Sequence, residues 1–332
     1  MHNSAPLVIG TERGLYCPAG DFYIDPWHPV QTAIITHAHA DHLRHGSARY
    51  IVARPGACLA RHRLGSGHTV TAVEYGATFT AGKVRVSLHP AGHVLGSAQV
   101  RIEHEGEVWV VSGDYKRQPD PTCAPFAPLA CDVFISEATF ASPVYQWSPT
   151  SQVVEEIVRW WHANRERGIA SVLFCYALGK SQRMLAELRE FTDEPVHLHN
   201  AVASVTDVYR RAGVQMAPTL TITPGKNTDY RGALIIAPPN AAGTPWMRRF
   251  GKYSSALCSG WMQVPGDPRG HGYDRGFAIS DHADWPALLD TCLATRAKRV
   301  LLMHGHSDAL AQHLTERGIT AEALQTACGV KA

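Results

Sequence analysis

No two cysteines are spaced CxxC, although the chain holds 8 of them, so zinc ribbons and thioredoxin-type redox motifs find no support. Their scatter, from Cys17 to Cys328, fits reduced, partly buried thiols of a cytosolic protein. No run approaches the roughly 18 apolar residues that a membrane span needs. Residues 1–6 lack a basic segment followed by an apolar one, so no secretory leader is expected. Net charge is small as well: 31 Lys and Arg against 29 Asp and Glu leave +2. That excludes a binder held mainly by bulk positive charge, though not a local basic groove. There is no internal repeat and no low-complexity tract. What is plentiful is apolar residues, 45% of the chain, and histidine, 19 residues. The first allows a sizeable core and excludes wholesale disorder. The second is a reason to look for metal. A length of 332 residues suits one large α/β domain or two moderate ones.

Short apolar runs divided by Gly, Pro and polar turns predict strands at 22–24, 33–36, 50–53, 84–88, 99–102, 108–112 and 133–136. Several are β-branched and nearly continuous, as expected of strands covered on both faces. Helical periodicity follows over 151–165, with Val153, Val154, Ile157, Val158 and Trp161 on one face and Glu155, Glu156 and Arg159 off it. Next come a buried strand at 171–176 and a helix over 181–191 with Met184, Leu185, Leu188 and Phe191 inward. A Pro/Gly-rich, Arg-containing region runs from 238 to 276. Strands at 276–280 and 299–303 and a helix at 285–295 close the pattern. The shift in character near 145 and its reversal near 275 predict a middle domain, 146–274, inserted into one formed by 1–145 and 275–332.

The strongest local signal is Thr36-His37-Ala38-His39-Ala40-Asp41-His42, which packs four metal-type ligands into six residues. In an extended segment, positions two apart point the same way, so His37 and His39 can grip one ion. A turn after Ala40 can send Asp41 and His42 toward a second. A positional argument is independent of this motif. The apolar runs ending at Thr36, Leu88, Gly113, Ser136 and Met303 lead to His37, His93, Asp114, Glu137 and His304. Strand ends are where layered α/β folds assemble sites. Imidazole and carboxylate without thiolate suit Zn²⁺ first and Mn²⁺ second, with Fe allowed. Two such ions, ~3.5–4 Å apart, would share a carboxylate and a water that loses its proton near neutral pH. The implied chemistry is metal-assisted hydrolysis.

HxHxDH, then Gly92-His93, then Ser112-Gly113-Asp114, then a late His304 after a strand, resembles the metallo-β-lactamase superfamily. The resemblance spans both ends of the chain in order. It implies a four-layer αββα sandwich with the metals at one edge. It also implies a first metal site of His37, His39 and His93, a second of Asp41, His42 and His304, and Asp114 bridging them. Asp25 would support these ligands from behind; a turn aspartate before Pro26 is the alternative. Glu137 in Ile135-Ser136-Glu137-Ala138-Thr139, His282 in Ser280-Asp281-His282-Ala283-Asp284, and His304 resemble motifs A, B and C of the β-CASP nucleases. The intervening stretch would then be a β-CASP-like α/β cap closing over a nucleic-acid groove. The overall pattern is similar to the bacterial DNA-ligase-associated exonucleases. That implies a two-metal phosphodiesterase acting on DNA, single-stranded or at ends, in DNA repair, associated with a DNA ligase and a helicase. It would work in the cytoplasm and not at a membrane.

Within that resemblance, Asp41, Glu137 and His282 are the candidate catalytic residues. His282 would protonate the leaving oxygen or touch the scissile phosphate, with Glu137 orienting it. The alternative for His282 is a polar residue in a helix N-cap region. Gly179-Lys180-Ser181 is no P-loop, because Phe174 stands where that motif needs Gly. Lys180 and Ser181 at a helix start remain candidates for phosphate binding, or Ser181 is a simple cap. Arg248, Arg249 and Lys252 alternate with Trp246, Phe250 and Tyr253, as a single-strand groove requires, or they form an exposed loop. His89, His197, His199 and His306 read as non-ligands, and Trp160-Trp161 as core. A histidine at motif C is more typical of RNA-processing members, so a ribonuclease of the same fold is the chief alternative. An ester or lactone hydrolase and a silent scaffold are the others.

Overall fold

The computed structural model describes residues 5–223, 228–270, 272–305 and 307–324. His306 and Cys328 lie outside the described residues. The strands in chain order begin with β1 (Ile9–Thr11), β2 (Gly14–Cys17), β3 (Phe22–Ile24), β4 (Thr32–Ile35) and β5 (Arg49–Ala53). Helix α1 (Ala57–Leu64) precedes β6 (Thr69–Val73), β7 (Thr78–Ala81), β8 (Val84–Pro90), β9 (Ala98–His104), β10 (Glu107–Val111) and β11 (Val133–Glu137). Then come α2 (Thr150–Glu166), β12 (Ala170–Phe174), α3 (Lys180–Leu188), β13 (Val196–Leu198), α4 (Asn200–Arg211), β14 (Thr219–Thr221), β15 (Leu234–Ala237), β16 (Tyr253–Cys258) and β17 (Arg275–Phe277). The last elements are α5 (Trp285–Ala294), β18 (Arg299–Met303), α6 (Asp308–Thr315) and β19 (Thr320–Ala323). They form a mixed α/β structure with three sheets.

The chain divides into two units. One comprises Met1–Pro119, Cys123–Pro143 and His282–Ala332; the other comprises Asp120–Thr122 and Val144–Asp281.

The first unit holds two sheets, ordered β1-β2-β3-β4-β5-β6 and β19-β18-β11-β10-β9-β8-β7. Period-2 alternation explains how they are buried. Trp109, Val111, Val133, Ile135 and Leu301 of the second sheet share one apolar cluster with Leu15, Phe22, Ile24, Ile34 and Ile51 of the first. Val110, Phe134, Val300 and Leu302 point the opposite way, into a cluster with Leu288 and Cys292 of α5 and Leu310 and Leu314 of α6. Helix α1 packs on β5 and β6. Strands β10, β11 and β18 are parallel neighbours, with Val111 opposite Ile135 and Glu137 opposite Met303. Their C-terminal ends therefore reach one edge together. The α5 helix starts where Asp284 accepts the Ala287 N–H at 3.1 Å and Pro286 occupies the first turn.

The second unit has one sheet, ordered β14-β13-β15-β12-β16-β17, with every pairing parallel. Such strands are covered on both faces, and all five residues of β12 are buried. Val153, Val154, Ile157, Val158 and Trp161 of α2 are buried as their spacing predicts, and Trp160 joins them in the core. One expectation fails here. Helix α3 ends at Leu188, and the chain turns with Phe191 N–H donating to the Leu188 carbonyl. Phe191 therefore leaves the inward face and is 42% exposed.

Candidate metal centre

Strand β4 runs into Thr36 and His37, and the chain then turns back: the N–H groups of His42 and Leu43 both donate to the His39 carbonyl, at 3.2 and 2.8 Å. That turn gathers His37, His39 and His42. His93 follows β8 in a loop whose Ser97 Oγ accepts the His93 N–H at 3.0 Å. Asp114 follows β10 through Gly113, which has φ 57° and whose missing Cβ would lie 2.6 Å from Thr36 Cβ. A larger residue there would push apart the two strand ends that carry His37 and Asp114.

His37, His39, His93 and Asp114 converge as one group. His39 Nδ1 lies 3.0 Å from His37 Nε2 and 3.1 Å from His93 Nε2. Asp114 Oδ2 is 3.5 Å from His37 Nε2 and 3.7 Å from His93 Nε2. Thr36 Oγ1 donates its only proton to Asp25 Oδ2. At His37 Nδ1, 3.1 Å away, it can then only accept. The His37 proton therefore sits on Nδ1, and Nε2 presents a lone pair to the cluster. Burial, then repulsion from His42, hold the His37 imidazole neutral, well below its usual range, although Asp114 opposes them. The donor set fits a cation. The edges of a tetrahedron with Zn–N of 2.0–2.1 Å are about 3.3 Å, close to the separations here.

A second group, His42, Asp114 and His304, shares Asp114 with the first. His42 Nδ1 is 2.8 Å from Asp25 Oδ2, and its Nε2 faces Asp114 Oδ2 at 3.4 Å. Burial disfavours the His42 cation, but Asp114 and Asp25 outweigh it and hold the group well above its usual range. Burial likewise disfavours the Asp114 carboxylate, yet His42 and His282 keep it well below its usual range. Asp25 thus backs the His42 ring through Nδ1 and also accepts the Thr36 N–H at 2.7 Å. His304 takes φ 63°, the left-handed region that few non-glycine residues enter. Asp41 stands at the rim: its side chain is 73% exposed and 3.6 Å from His42 Nε2.

Glu137 and His282 form a third element with Asp114. His282 Nδ1 is 2.8 Å from Glu137 Oε2. Glu137 is itself fixed, accepting the Tyr115 N–H at Oε1 and the Thr139 hydroxyl at Oε2, both at 2.6 Å. The His282 ring centre lies 4.8 Å from that of His93. With Nδ1 turned to a fixed carboxylate, Nε2 is the ring nitrogen left to face other groups.

The other candidates fare differently. Lys180 and Ser181 are buried; Lys180 Nζ pairs with Asp281 at 3.0 Å, and Ser181 Oγ donates to the Tyr176 carbonyl at 2.7 Å. Both are committed to the interior of the second unit, so the phosphate-binding expectation is corrected, and Ser181 is not the cap. Arg248, Arg249 and Lys252 are exposed. Phe250 beside them is buried, packing edge-on against Trp246 and Tyr230. Spacing alone did not single out Thr36, Tyr115 and Thr139, which hold His37 and Glu137 through hydrogen bonds. It also missed the buried Arg183, which meets Asp281 at 3.4 Å and Asp120 at 3.8 Å.

Among the described residues no helix is long and apolar enough to cross a membrane. No family model matches the chain. Among curated proteins it is 34% identical over 323 residues, 96% of its own length, to a "Probable DNA ligase" of Opitutus terrae. It spans only 31% of that protein. It is also 29% identical over 133 residues to "Endoribonuclease YSH1" of Candida albicans, covering 40% of this chain and 15% of that one. The Saccharomyces cerevisiae protein of the same name matches at 30% over 124 residues, 37% of this chain and 16% of that one. A crystal structure of a "Protein of Unknown Function" from Enterococcus faecalis V583 matches with TM-score 0.58 and 12% identity, covering 89% of this chain and 79% of that one. This last likeness concerns the fold alone. Together with the histidine and carboxylate groups at the strand ends, these likenesses are consistent with the β-CASP nuclease branch of the metallo-β-lactamase superfamily, which the chain resembles.

Proposed function

We propose that the chain is a two-metal phosphodiesterase that cleaves DNA, at single-stranded regions or ends, in a repair setting. The observation that carries this reading is the pair of convergent ligand groups joined by Asp114, with the Glu137–His282 pair beside them. His37, His39 and His93 would hold one divalent ion. His42 and His304, with Asp41 at the rim, would hold the other, and Asp114 would serve both. Imidazole and carboxylate donors favour Zn²⁺, with Mn²⁺ second. The chemistry supplied there is activation of water near neutral pH and neutralisation of the phosphoryl oxygens.

The chain's own residues do the rest. Thr36 orients His37 so that its Nε2 presents a lone pair to the centre, and Asp25 holds His42 by Nδ1 so that its Nε2 faces the centre and would yield its proton to a cation there. Glu137 holds His282 by Nδ1, leaving Nε2 to give a proton to the departing oxygen. In this reading 1–145 and 275–332 form the superfamily's αββα catalytic domain and 146–274 the β-CASP-like cap. Arg248, Arg249 and Lys252 are exposed cations available to phosphates. The likeness to a protein named as a DNA ligase supports the DNA assignment and an association with a ligase; the helicase rests on resemblance only. A cytoplasmic location accords with the 7 free cysteines among the described residues.

The endoribonuclease relatives favour a second reading, cleavage of RNA by the same centre. The experiment is digestion of DNA and RNA labelled at either end, with Zn²⁺, Mn²⁺ or Mg²⁺. Metal-dependent shortening of DNA from one end is the expected result. Cleavage of RNA with DNA untouched replaces the first reading by the second. Cleavage of neither, by metal-loaded protein, removes both.

A further inference from the structure

Beside the second ligand group lies a partly enclosed cavity of about 100 Å³. Its floor is apolar. Leu15, Ile24 and Val111 belong to the buried cluster between the two sheets of the first unit, and Met303 packs on that cluster. One wall carries Asp41, His42 and His304. Half-buried Trp27 and exposed Arg44 also line it. Arg44 stands two residues after His42, and its Nε reaches the Asp41 carbonyl only at 3.5 Å. Among the described residues it has no carboxylate partner, whereas Arg85 and Arg299, exposed cations of the same unit, pair with Glu103 and Glu322. Among the described residues, neither Glu137 nor His282 lines the cavity.

We propose that this cavity receives a pyrimidine base, that of the nucleotide left carrying the phosphate when a strand is cut. The proposal rests on the nuclease reading above and deepens it by assigning a base slot. In that reading the proton donor is His282, which stands with Asp114 and His93, so the leaving oxygen departs on that flank. The nucleotide that keeps the phosphate then lies on the flank of His42 and His304, where the cavity is. A base suits the walls: its flat, largely apolar ring removes the floor from water and packs on Trp27, and its carbonyl oxygens or the phosphate meet the Arg44 guanidinium. The size selects among bases. A cavity of roughly 150 Å³ holds one benzene ring. This smaller one, with an open side, takes a single six-membered ring whose sugar stays outside, and not the fused rings of a purine.

The test is titration calorimetry of the full chain, loaded with Zn²⁺, against the 5′ and 3′ thymidylates, the two matching deoxyguanylates and inorganic phosphate. One thymidylate should bind about 10- to 100-fold tighter than phosphate, and tighter than the deoxyguanylate of the same polarity. Trp27→Ala and Arg44→Ala should each bring that thymidylate back toward the affinity of phosphate, while Trp27→Phe keeps most of the gap. A tryptophan that only supports the fold would not separate the two ligands in this way. Thymidylates that bind no tighter than phosphate, or a gap that persists in folded Trp27→Ala and Arg44→Ala proteins, overturn the slot. A deoxyguanylate that binds as tightly as thymidylate overturns the choice of a pyrimidine. The nuclease reading is tested separately by wild-type hydrolysis of bis(p-nitrophenyl) phosphate with Mn²⁺. Hydrolysis with no thymidylate preference sinks the slot alone; thymidylate preference with no hydrolysis sinks the nuclease reading alone.

Discussion

Both units bury a knot of charged and polar side chains, and the two knots are built on opposite principles. In the second unit Lys180 and Arg183 meet Asp281, and Arg183 also meets Asp120, so each buried charge has an opposite neighbour. In the first unit His37, His39 and His93 turn ring nitrogens toward one another and toward a single oxygen of Asp114. In the reading proposed above, one cation would serve all of these ring nitrogens together. A knot that is already neutralised holds a fold together. One that gathers imidazoles around a shared carboxylate is, in the proposed reading, organised around a cation.

This contrast is sharpened by breaking each knot. His39→Ala should lose metal and abolish phosphodiester cleavage while thermal unfolding of the chelated protein changes little; retained cleavage would refute the ligand assignment. His282→Ala should keep its metal, measured by elemental analysis, and slow cleavage by about 10²- to 10⁴-fold. Metal loss equal to that of His39→Ala would make His282 a ligand instead. Lys180→Met should do the reverse of His39→Ala. It removes one of the two cations that meet the buried Asp281 carboxylate, leaving Arg183, and should cost about 1.5–3 kcal/mol in denaturant unfolding, with metal content unchanged. An unaltered unfolding midpoint would show that Lys180 is not part of a structural knot. Asp25→Asn should have the smallest effect, weakening metal affinity by about 10- to 100-fold as the orientation of His42 loosens. Unchanged affinity would leave Asp25 a turn residue.

The same contrast explains what the sequence could reveal. The candidate site residues sit at or just past strand ends, so local pattern finds them: β-branched runs locate β4, β10, β11 and β18, and His37, Asp114, Glu137 and His304 lie at or within three residues of their ends. Helix α2 was legible because its apolar face repeats without interruption. Lys180 was misread because Gly-Lys-Ser at a helix start looks like a phosphate site. Its partner Asp281 is 101 residues away, and nothing local announces that pairing. Thr36 Oγ and the Tyr115 N–H act through tertiary contacts that spacing does not encode. Phe191 followed the periodicity of α3, but the helix stops three residues earlier.

The most direct measurement is calorimetric titration of the chelator-stripped full chain with Zn²⁺. The ligand geometry predicts saturable uptake of about two ions per chain, reduced in His39→Ala. No saturable uptake by wild type, or identical uptake by His39→Ala, would contradict it.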